Sequence, residues 1–232
     1  MKLLITCEHG GNGLPARYRP LFRKHRAILE SHRSYDPGAL ALARDFAATF
    51  GAELVYSTTS RLLVELNRSP GHRALFSDMT RSLPPEERAK LLERYYFPYR
   101  ECVEAQVRDA VAAGERVLHI SCHSFTPRLD GDVRRADLGL LYDPRRRAEA
   151  KFCSTWQKTL RAADPRLVVR RNYPYRGYAD GLTTALRKRY PDPTYAGVEI
   201  EVNQKFPLGD AAGWRALRQV LVAALARALP VQ

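Results

Sequence analysis

The sequence lacks the marks of several protein classes. No apolar run among its 232 residues approaches the roughly 20 residues that a membrane-spanning helix needs. The four cysteines form no CxxC pair, and the chain is not a small secreted domain, so we expect reduced thiols. The first apolar run is too short, and turns acidic too early, for a signal peptide. We therefore expect a soluble cytoplasmic protein without a membrane partner; its oligomeric state is left open.

Acidic residues are scarce relative to basic ones. The chain has 25 Asp and Glu against 38 Lys and Arg, a formal net charge of +13. Such an excess suits nucleic acid or small acidic ligands. The arginines are scattered over the chain, without a basic tail or an aromatic-basic RNA-binding signature, so nucleic-acid binding is the less favoured alternative.

Short apolar β-type runs alternate with longer helical patterns. Strands are predicted at residues 3–6, 53–56, 117–121, 138–142, 167–170 and 197–202. Helices are predicted at residues 39–50, at 85–114 with a break near Pro98, and at 146–162, 183–190 and 214–229. This order predicts a three-layer αβα fold with a mixed, mainly parallel sheet, forming one domain over residues 1–232.

Functional residues of such sheets collect at the carboxyl ends of the strands. The first predicted strand ends in Cys7-Glu8-His9-Gly10-Gly11-Asn12. The two glycines would let the backbone approach a ligand, and His9 is either a metal ligand or a hydrogen-bonded turn residue. In extended geometry Cys7 and His9 share a face, while Glu8 points away.

The central strand ends in a second polar cluster. His123 lies at its carboxyl end and is the better ligand candidate. His119 lies deeper in the predicted strand, which favours a core or supporting role. Cys122 should face away from His123 and pack as a small hydrophobic residue.

The strand at residues 197–202 alternates apolar residues with two carboxylates. Glu199 and Glu201 therefore lie on the same face. A solvated edge strand would explain this pattern, but so would a general base facing a cleft beside a metal site. Glu201 is nearer the carboxyl end and is preferred over Glu199.

Two loops offer cationic and amide groups. Arg61, Asn67 and Arg68 could clamp a carboxylate through charge-assisted hydrogen bonds, although a surface salt bridge is the simpler interpretation. The loop at residues 31–38 adds Arg33 as a candidate substrate contact and Asp36 as a candidate metal ligand.

A third loop, at residues 174–181, is rich in turn residues and tyrosines. That composition suits a lid or a substrate wall, with Tyr175 and Arg176 as candidate substrate contacts.

Six segments, in order along the chain, resemble the N-formylglutamate amidohydrolase family: CEHGGNGLP, SHRSYDPGA, SRLLVELNRS, CHSF, PYRGYADGLT and GVEIEVNQ. The match extends over residues 6–203. That family is similar to zinc carboxypeptidases and to the aspartoacylase and succinylglutamate desuccinylase enzymes. The resemblance implies their phosphorylase/hydrolase-like three-layer fold and one catalytic zinc ion.

The resemblance also implies site residues. Zinc would be held by His9 and His123, with Glu201 as the general base. The relatives carry a DLNR-type motif that grips the carboxylate of the substrate, and ELNR here places that role on Asn67 and Arg68. By the same resemblance, Arg61 is the candidate for stabilising the oxyanion.

One departure concerns the third zinc ligand. The relatives usually supply a carboxylate three residues after the first histidine, where this chain has Asn12. An amide is a poor zinc ligand. Asp36 is therefore preferred as the third ligand, ahead of Glu8 and Cys7.

The implied reaction is hydrolysis of a small anionic N-acyl amino acid such as N-formylglutamate. The products would be a small acid, such as formate, and a free acidic amino acid. The alternatives are a zinc hydrolase acting on another N-acyl amino acid or on a peptide C-terminus, and a basic nucleic-acid-binding protein without catalysis.

Overall fold

A six-stranded sheet forms the centre of the molecule in the computed structural model, which describes residues 1–230. The strands are β1 Lys2–Cys7, β2 Glu53–Tyr56, β3 Val117–Phe125, β4 Arg128–Leu129, β5 Asp132–Val133, β6 Leu138–Leu141, β7 Val169–Arg171 and β8 Tyr195–Asn203. The strand order in the sheet is β2-β1-β3-β8-β6-β7, and β4 and β5 form a separate hairpin.

The sheet is mixed and mainly parallel. Strands β2, β1, β3 and β8 run parallel to one another, β6 runs antiparallel to β8, and β7 runs parallel to β6. The predicted sheet is confirmed. The carboxyl ends of β1, β3 and β8 meet at one edge, which brings their terminal polar residues together.

Helices cover both faces of the sheet. They are α1 Arg26–Leu29, α2 Ala39–Phe50, α3 Pro85–Leu91, α4 Phe97–Ala112, α5 Arg147–Ala163, α6 Leu182–Arg187 and α7 Ala211–Ala228. A 3₁₀ segment, Ala16–His25, precedes α1, and a π-type turn, Leu92–Tyr96, joins α3 to α4. Within residues 1–230, no helix is long and apolar enough to cross a membrane.

Two apolar clusters separate the three layers. On one face, α2, α5 and α7 bury residues such as Phe46, Trp156 and Leu221 against the sheet. On the other face, α4 and α6 pack residues such as Val103 and Leu186. This arrangement confirms the predicted αβα fold class.

Local signals account for several element boundaries. The helix α2 begins after Gly38 and ends at Gly51, whose φ angles of 80° and 58° suit glycine. At the predicted break near Pro98 the helix changes its hydrogen-bond pattern and does not end, because the π-type turn ends at Tyr96 and α4 follows from Phe97. Proline lacks the N–H that a continuous helix would use.

Other boundaries differ from the predicted ones. The strand β3 continues to Phe125, and β8 to Asn203, because their polar residues are buried and hydrogen-bonded. The predicted strand at 167–170 lies at Val169–Arg171, and the helix predicted to reach residue 190 ends at Arg187. The edge-strand explanation for Glu199 and Glu201 is wrong, since β8 lies between β3 and β6 and all its residues are buried.

Candidate active site

A cavity of about 420 Å³ opens where β1, β3 and β8 end. Its wall includes His9 from the turn after β1, His123 from β3, and Glu199 and Glu201 from β8. Asp36 reaches it from the loop before α2, where its backbone N–H donates to the His9 carbonyl at 2.9 Å. The parallel topology therefore gathers residues that are far apart in the sequence.

Both histidines aim their Nδ1 atoms at the same carboxylate oxygen. His123 Nδ1 lies 2.9 Å from Asp36 Oδ2, and His9 Nδ1 lies 3.3 Å from it. The two ring centroids are 5.0 Å apart, and all three side chains are buried. Ligand atoms of the three residues lie within 4.8 Å of one another.

Glu65 holds the other side of the His9 ring. Its Oε1 lies 2.5 Å from His9 Nε2, and the backbone N–H of Asn67 donates to the same oxygen at 2.9 Å. Arg61 Nε donates to Glu65 Oε2 at 2.7 Å. Glu65 therefore fixes the orientation of His9, a role common for carboxylates behind metal-binding histidines.

The carboxyl groups of the site differ sharply in proton affinity. Burial alone would raise the pKa of Asp36, but the neighbouring His9, His123 and Arg61 hold it well below its usual range. Burial would also raise the pKa of Glu65, but the neighbouring Arg61 and His9 outweigh it and lower that pKa. Burial, reinforced by the carboxylates of Asp36 and Glu199, raises the pKa of Glu201 to about 8, because His123 and Arg61 offset these effects only in part.

This site fits a divalent cation. Two imidazole nitrogens and one carboxylate oxygen are the donor types of a catalytic zinc centre. Within the described chain, Glu201 Oε2 is buried without a hydrogen-bond partner, so the cavity wall carries an unsatisfied acceptor. The nearby Glu199 already has a hydrogen-bond partner, since the Thr183 hydroxyl donates to its Oε1 at 2.7 Å.

The residues predicted to grip a carboxylate lie along the same cavity. Asn67 Oδ1 accepts from the Leu182 N–H at 2.6 Å, and its Nδ2 lies 3.5 Å from His123 Nε2. Arg68 Nη1 donates to the carbonyl of Asp180 at 2.6 Å. Arg61 forms ion pairs with Glu65 and Asp36 and still lines the cavity, so a salt bridge and a cavity position coexist.

The loop at residues 174–181 forms part of the wall through Tyr175 and Arg176. It is held from behind: Asn172 Oδ1 accepts from the Gly177 N–H at 3.0 Å, and Arg187 donates to the Gly177 carbonyl. A Cβ at Gly177 would clash with the Tyr142 backbone. These contacts favour the substrate wall over the lid.

Some expectations about the first loop are wrong. Gly10 and Gly11 do not leave room for a ligand, because a Cβ at these positions would lie 2.8 Å from the Ser57 carbonyl oxygen and 2.7 Å from that of Thr58. Cys7 packs in the apolar core below α2 and does not belong to the cavity wall. Strand β1 ends at Cys7, so strand alternation does not extend into the turn.

Glu8 and Arg33 also depart from the predicted arrangement. Glu8 does not point away from the site, since its Oε2 lies 3.1 Å from His123 Nε2. Arg33 is exposed and does not belong to the cavity wall, because its loop turns the side chain to solvent. Asn12 is also elsewhere, donating to the Leu29 carbonyl at 3.0 Å.

The deeper strand residues follow the predictions. His119 is fully buried, with Nε2 2.8 Å from Thr6 Oγ1 and Nδ1 2.7 Å from the Tyr195 hydroxyl. Cys122 packs in the apolar core. Sequence reasoning missed Glu65, although it belongs to the ELNR segment, and His32, which lines the cavity within the 31–38 loop.

Comparison with known proteins places the chain among enzymes. A family model described as N-formylglutamate amidohydrolase matches residues 1–207. A solved structure from Agrobacterium tumefaciens is 29% identical, with a TM-score of 0.83, covering 98% of this chain and 90% of that one. An N-formylglutamate amidohydrolase from Ralstonia eutropha is 21% identical, with a TM-score of 0.75, covering 98% and 92%. A search of curated proteins finds no match.

Proposed function

The chain belongs to the N-formylglutamate amidohydrolase family and is an amidohydrolase, and from this premise we propose a metal-dependent reaction on a small anionic substrate. The bond cleaved is the amide of an N-acyl acidic amino acid, with N-formylglutamate as the preferred substrate. His9, Asp36 and His123 hold one divalent ion, zinc. Membership of this enzyme family argues against the alternative of a basic nucleic-acid-binding protein without catalysis.

One observation carries this proposal. Two imidazole Nδ1 atoms converge on one oxygen of Asp36, and beside them Glu201 presents a buried oxygen without a protein partner. An imidazole lone pair and a carboxylate oxygen repel each other at such distances unless a proton or a cation lies between them. When bound, a divalent ion supplies Lewis-acid chemistry, acidifying water and polarising a carbonyl group.

Glu201 is the general base of the proposed reaction. It takes a proton from the attacking water and afterwards delivers it to the leaving nitrogen, so that the amide and one water become an acid and an amine. Its burial brings its pKa close to neutral, where a carboxyl group can both accept and release a proton. Glu199 is less suited because its Oε1 already accepts from Thr183.

The remaining polar residues position the substrate. Arg68 and Asn67 bind its carboxylate, since a guanidinium and an amide together offer several N–H donors. Arg61 stabilises negative charge that develops on the carbonyl oxygen. Tyr175 and Arg176 form the wall that faces the rest of the amino acid.

A substrate panel tests this proposal. Purified, zinc-loaded protein is incubated with formyl-, acetyl- and succinyl-glutamate and with formyl-alanine, and released amine is measured with and without a chelator. We expect chelator-sensitive turnover that is fastest on formylglutamate. Faster turnover of another acyl group would change the substrate, while full activity in protein shown to be metal-free would overturn the mechanism.

A further inference from the structure

Glu8 is a buried carboxylate that the proposed reaction does not use. It lies in the turn after β1, is fully inaccessible, and does not belong to the cavity wall. It accepts hydrogen bonds from the Ser121 hydroxyl at 2.6 Å and from the Tyr99 hydroxyl at 2.9 Å. Its Oε2 also lies 3.1 Å from His123 Nε2, on the side of the ring opposite Asp36.

The hydrogen-bond chemistry around His123 Nε2 admits one arrangement. An ionised carboxylate only accepts hydrogen bonds, so Ser121 must give its single hydroxyl hydrogen to Glu8. The Ser121 oxygen, 2.8 Å from His123 Nε2, is then left to accept. The two nearest neighbours of Nε2, at 2.8 and 3.1 Å, are acceptors, whereas the donor Asn67 Nδ2 lies further away at 3.5 Å. Nε2 therefore carries the ring hydrogen.

We propose that Glu8 is a positioning residue that keeps the hydrogen of His123 on Nε2 and thereby directs the Nδ1 lone pair into the metal site. This inference rests on the proposed metal site. Carboxylates behind a metal-binding histidine fix its tautomer and increase its basicity. Glu8 acts through His123 and touches neither substrate nor metal.

The arrangement around His9 supports this role. There Glu65 Oε1 faces Nε2, and Nδ1 again turns toward Asp36. The two histidines are thus held in the same way by carboxylates from different parts of the chain. Glu8 is also poorly placed as a ligand itself, because His123 lies between it and Asp36.

A packing role alone does not explain Glu8. Burying a carboxylate costs free energy that several hydrogen bonds must offset, and an apolar residue would fill the space without that penalty. The carboxylate is held by two hydroxyl donors and an imidazole, which suits a group that must remain ionised at a fixed place.

The test compares Glu8→Gln with the wild-type chain in zinc titrations against a chromophoric chelator. Glutamine keeps the size of the side chain but removes its charge, and we expect zinc affinity to fall about 10- to 100-fold. Tyr99→Phe is the matched control, because it deletes another hydrogen bond to the same carboxylate and leaves the Nε2 contact intact. Its zinc affinity should stay within about threefold of wild type.

A spectroscopic measurement separates positioning from simple loss of stability. In zinc-loaded protein labelled with ¹⁵N-histidine, His123 should show a protonated Nε2 whose hydrogen exchanges slowly with solvent. In Glu8→Gln that hydrogen should exchange faster, whereas a purely structural residue would leave it unchanged. Glu8→Asp keeps the charge but has a shorter side chain, and its zinc affinity should lie between those of the wild type and Glu8→Gln. It replaces Glu8→Gln in the test if the glutamine variant does not fold.

The outcomes distinguish this inference from the proposed function. Wild-type zinc affinity and an unchanged Nε2 signal in the Glu8 variants would overturn the role of Glu8 and leave the metal site standing. Failure of the wild-type chain to bind zinc would overturn the proposed metal site, and this inference with it.

Discussion

Glu201 and His123 are register partners on the two central parallel strands, β8 and β3. Their side chains leave the sheet side by side and reach the same cavity. The sheet itself therefore sets the spacing between the proposed base and a proposed metal ligand, and neither depends on a flexible loop.

Replacing the Glu201 carboxyl group with an amide should slow catalysis strongly without removing the metal. We expect Glu201→Gln to lower kcat about 10²- to 10⁴-fold, the usual contribution of general acid–base catalysis, while zinc content is unchanged. Steady-state kinetics and metal analysis of one preparation measure both. The exposed Glu86→Gln is the control, and normal turnover in Glu201→Gln would move the base to Glu199.

The three proposed ligands should each be needed for metal binding. His9→Ala, His123→Ala and Asp36→Asn should fail to retain one zinc ion per chain after dialysis, because each removes one of three protein donors. The exposed His25→Ala should retain it. Metal analysis by mass spectrometry measures the content, and full occupancy in Asp36→Asn would exclude Asp36 as the third ligand.

Arg68 should act on substrate binding more than on turnover. Its Nη1 donates to the carbonyls of Asn67 and Asp180. The guanidinium has further N–H groups that can donate to a substrate carboxylate. We expect Arg68→Ala to raise KM about 10- to 100-fold, the value of a lost hydrogen bond to a charged group. Arg73→Ala, an exposed neighbour, should leave KM unchanged, and an unchanged KM in Arg68→Ala would remove Arg68 from the clamp.

His119 should make the fold less stable in mild acid. Burial lowers the pKa of His119 from 6.5 to about 4. Between these pH values the imidazole is protonated in the unfolded chain but neutral in the folded one. As the pH falls from 6.5 to about 4, this residue should reduce the free energy of unfolding by up to about 3 kcal/mol.

The measurement compares urea unfolding of the wild-type chain and His119→Gln at several pH values. The stability of the wild type relative to the variant should decline through that interval and stay constant above about pH 7. The exposed His25→Gln serves as the control. Parallel pH profiles for wild type and His119→Gln would show that His119 is not the titrating group.

The sequence was informative about residues at the carboxyl ends of the strands and directly after them. His9 and His123 could be placed together because parallel strands end at one edge, and Glu201 could be ranked above Glu199 by its position on β8. Asp36 also lies where it was expected, at the cavity. Strand alternation and the convergence of parallel strands at one sheet edge are general rules of sheet geometry, and they are sufficient for the residues at strand ends.

Residues in turns could not be placed by the same rules. Strand alternation predicted that the Glu8 side chain would point away from the site. However, β1 ends at Cys7, and the turn that follows directs the Glu8 side chain toward His123. Glu65 reaches His9 only through the path of its loop, and Arg33 turns to solvent for the same reason. These positions depend on long-range contacts that no local pattern encodes.

The wall at residues 174–181 has a consequence for how ligands are selected. Its backbone at Gly177 is hydrogen-bonded to Asn172 and Arg187, and its Asp180 carboxylate accepts from the Ser69 N–H at 2.9 Å. The conformational entropy of this segment is already lost when the chain folds. A ligand therefore binds to a preformed surface, and binding costs only the entropy of the ligand itself. In the proposed reaction, this rigid wall would select among substrates by sterically excluding amino acids with oversized side chains.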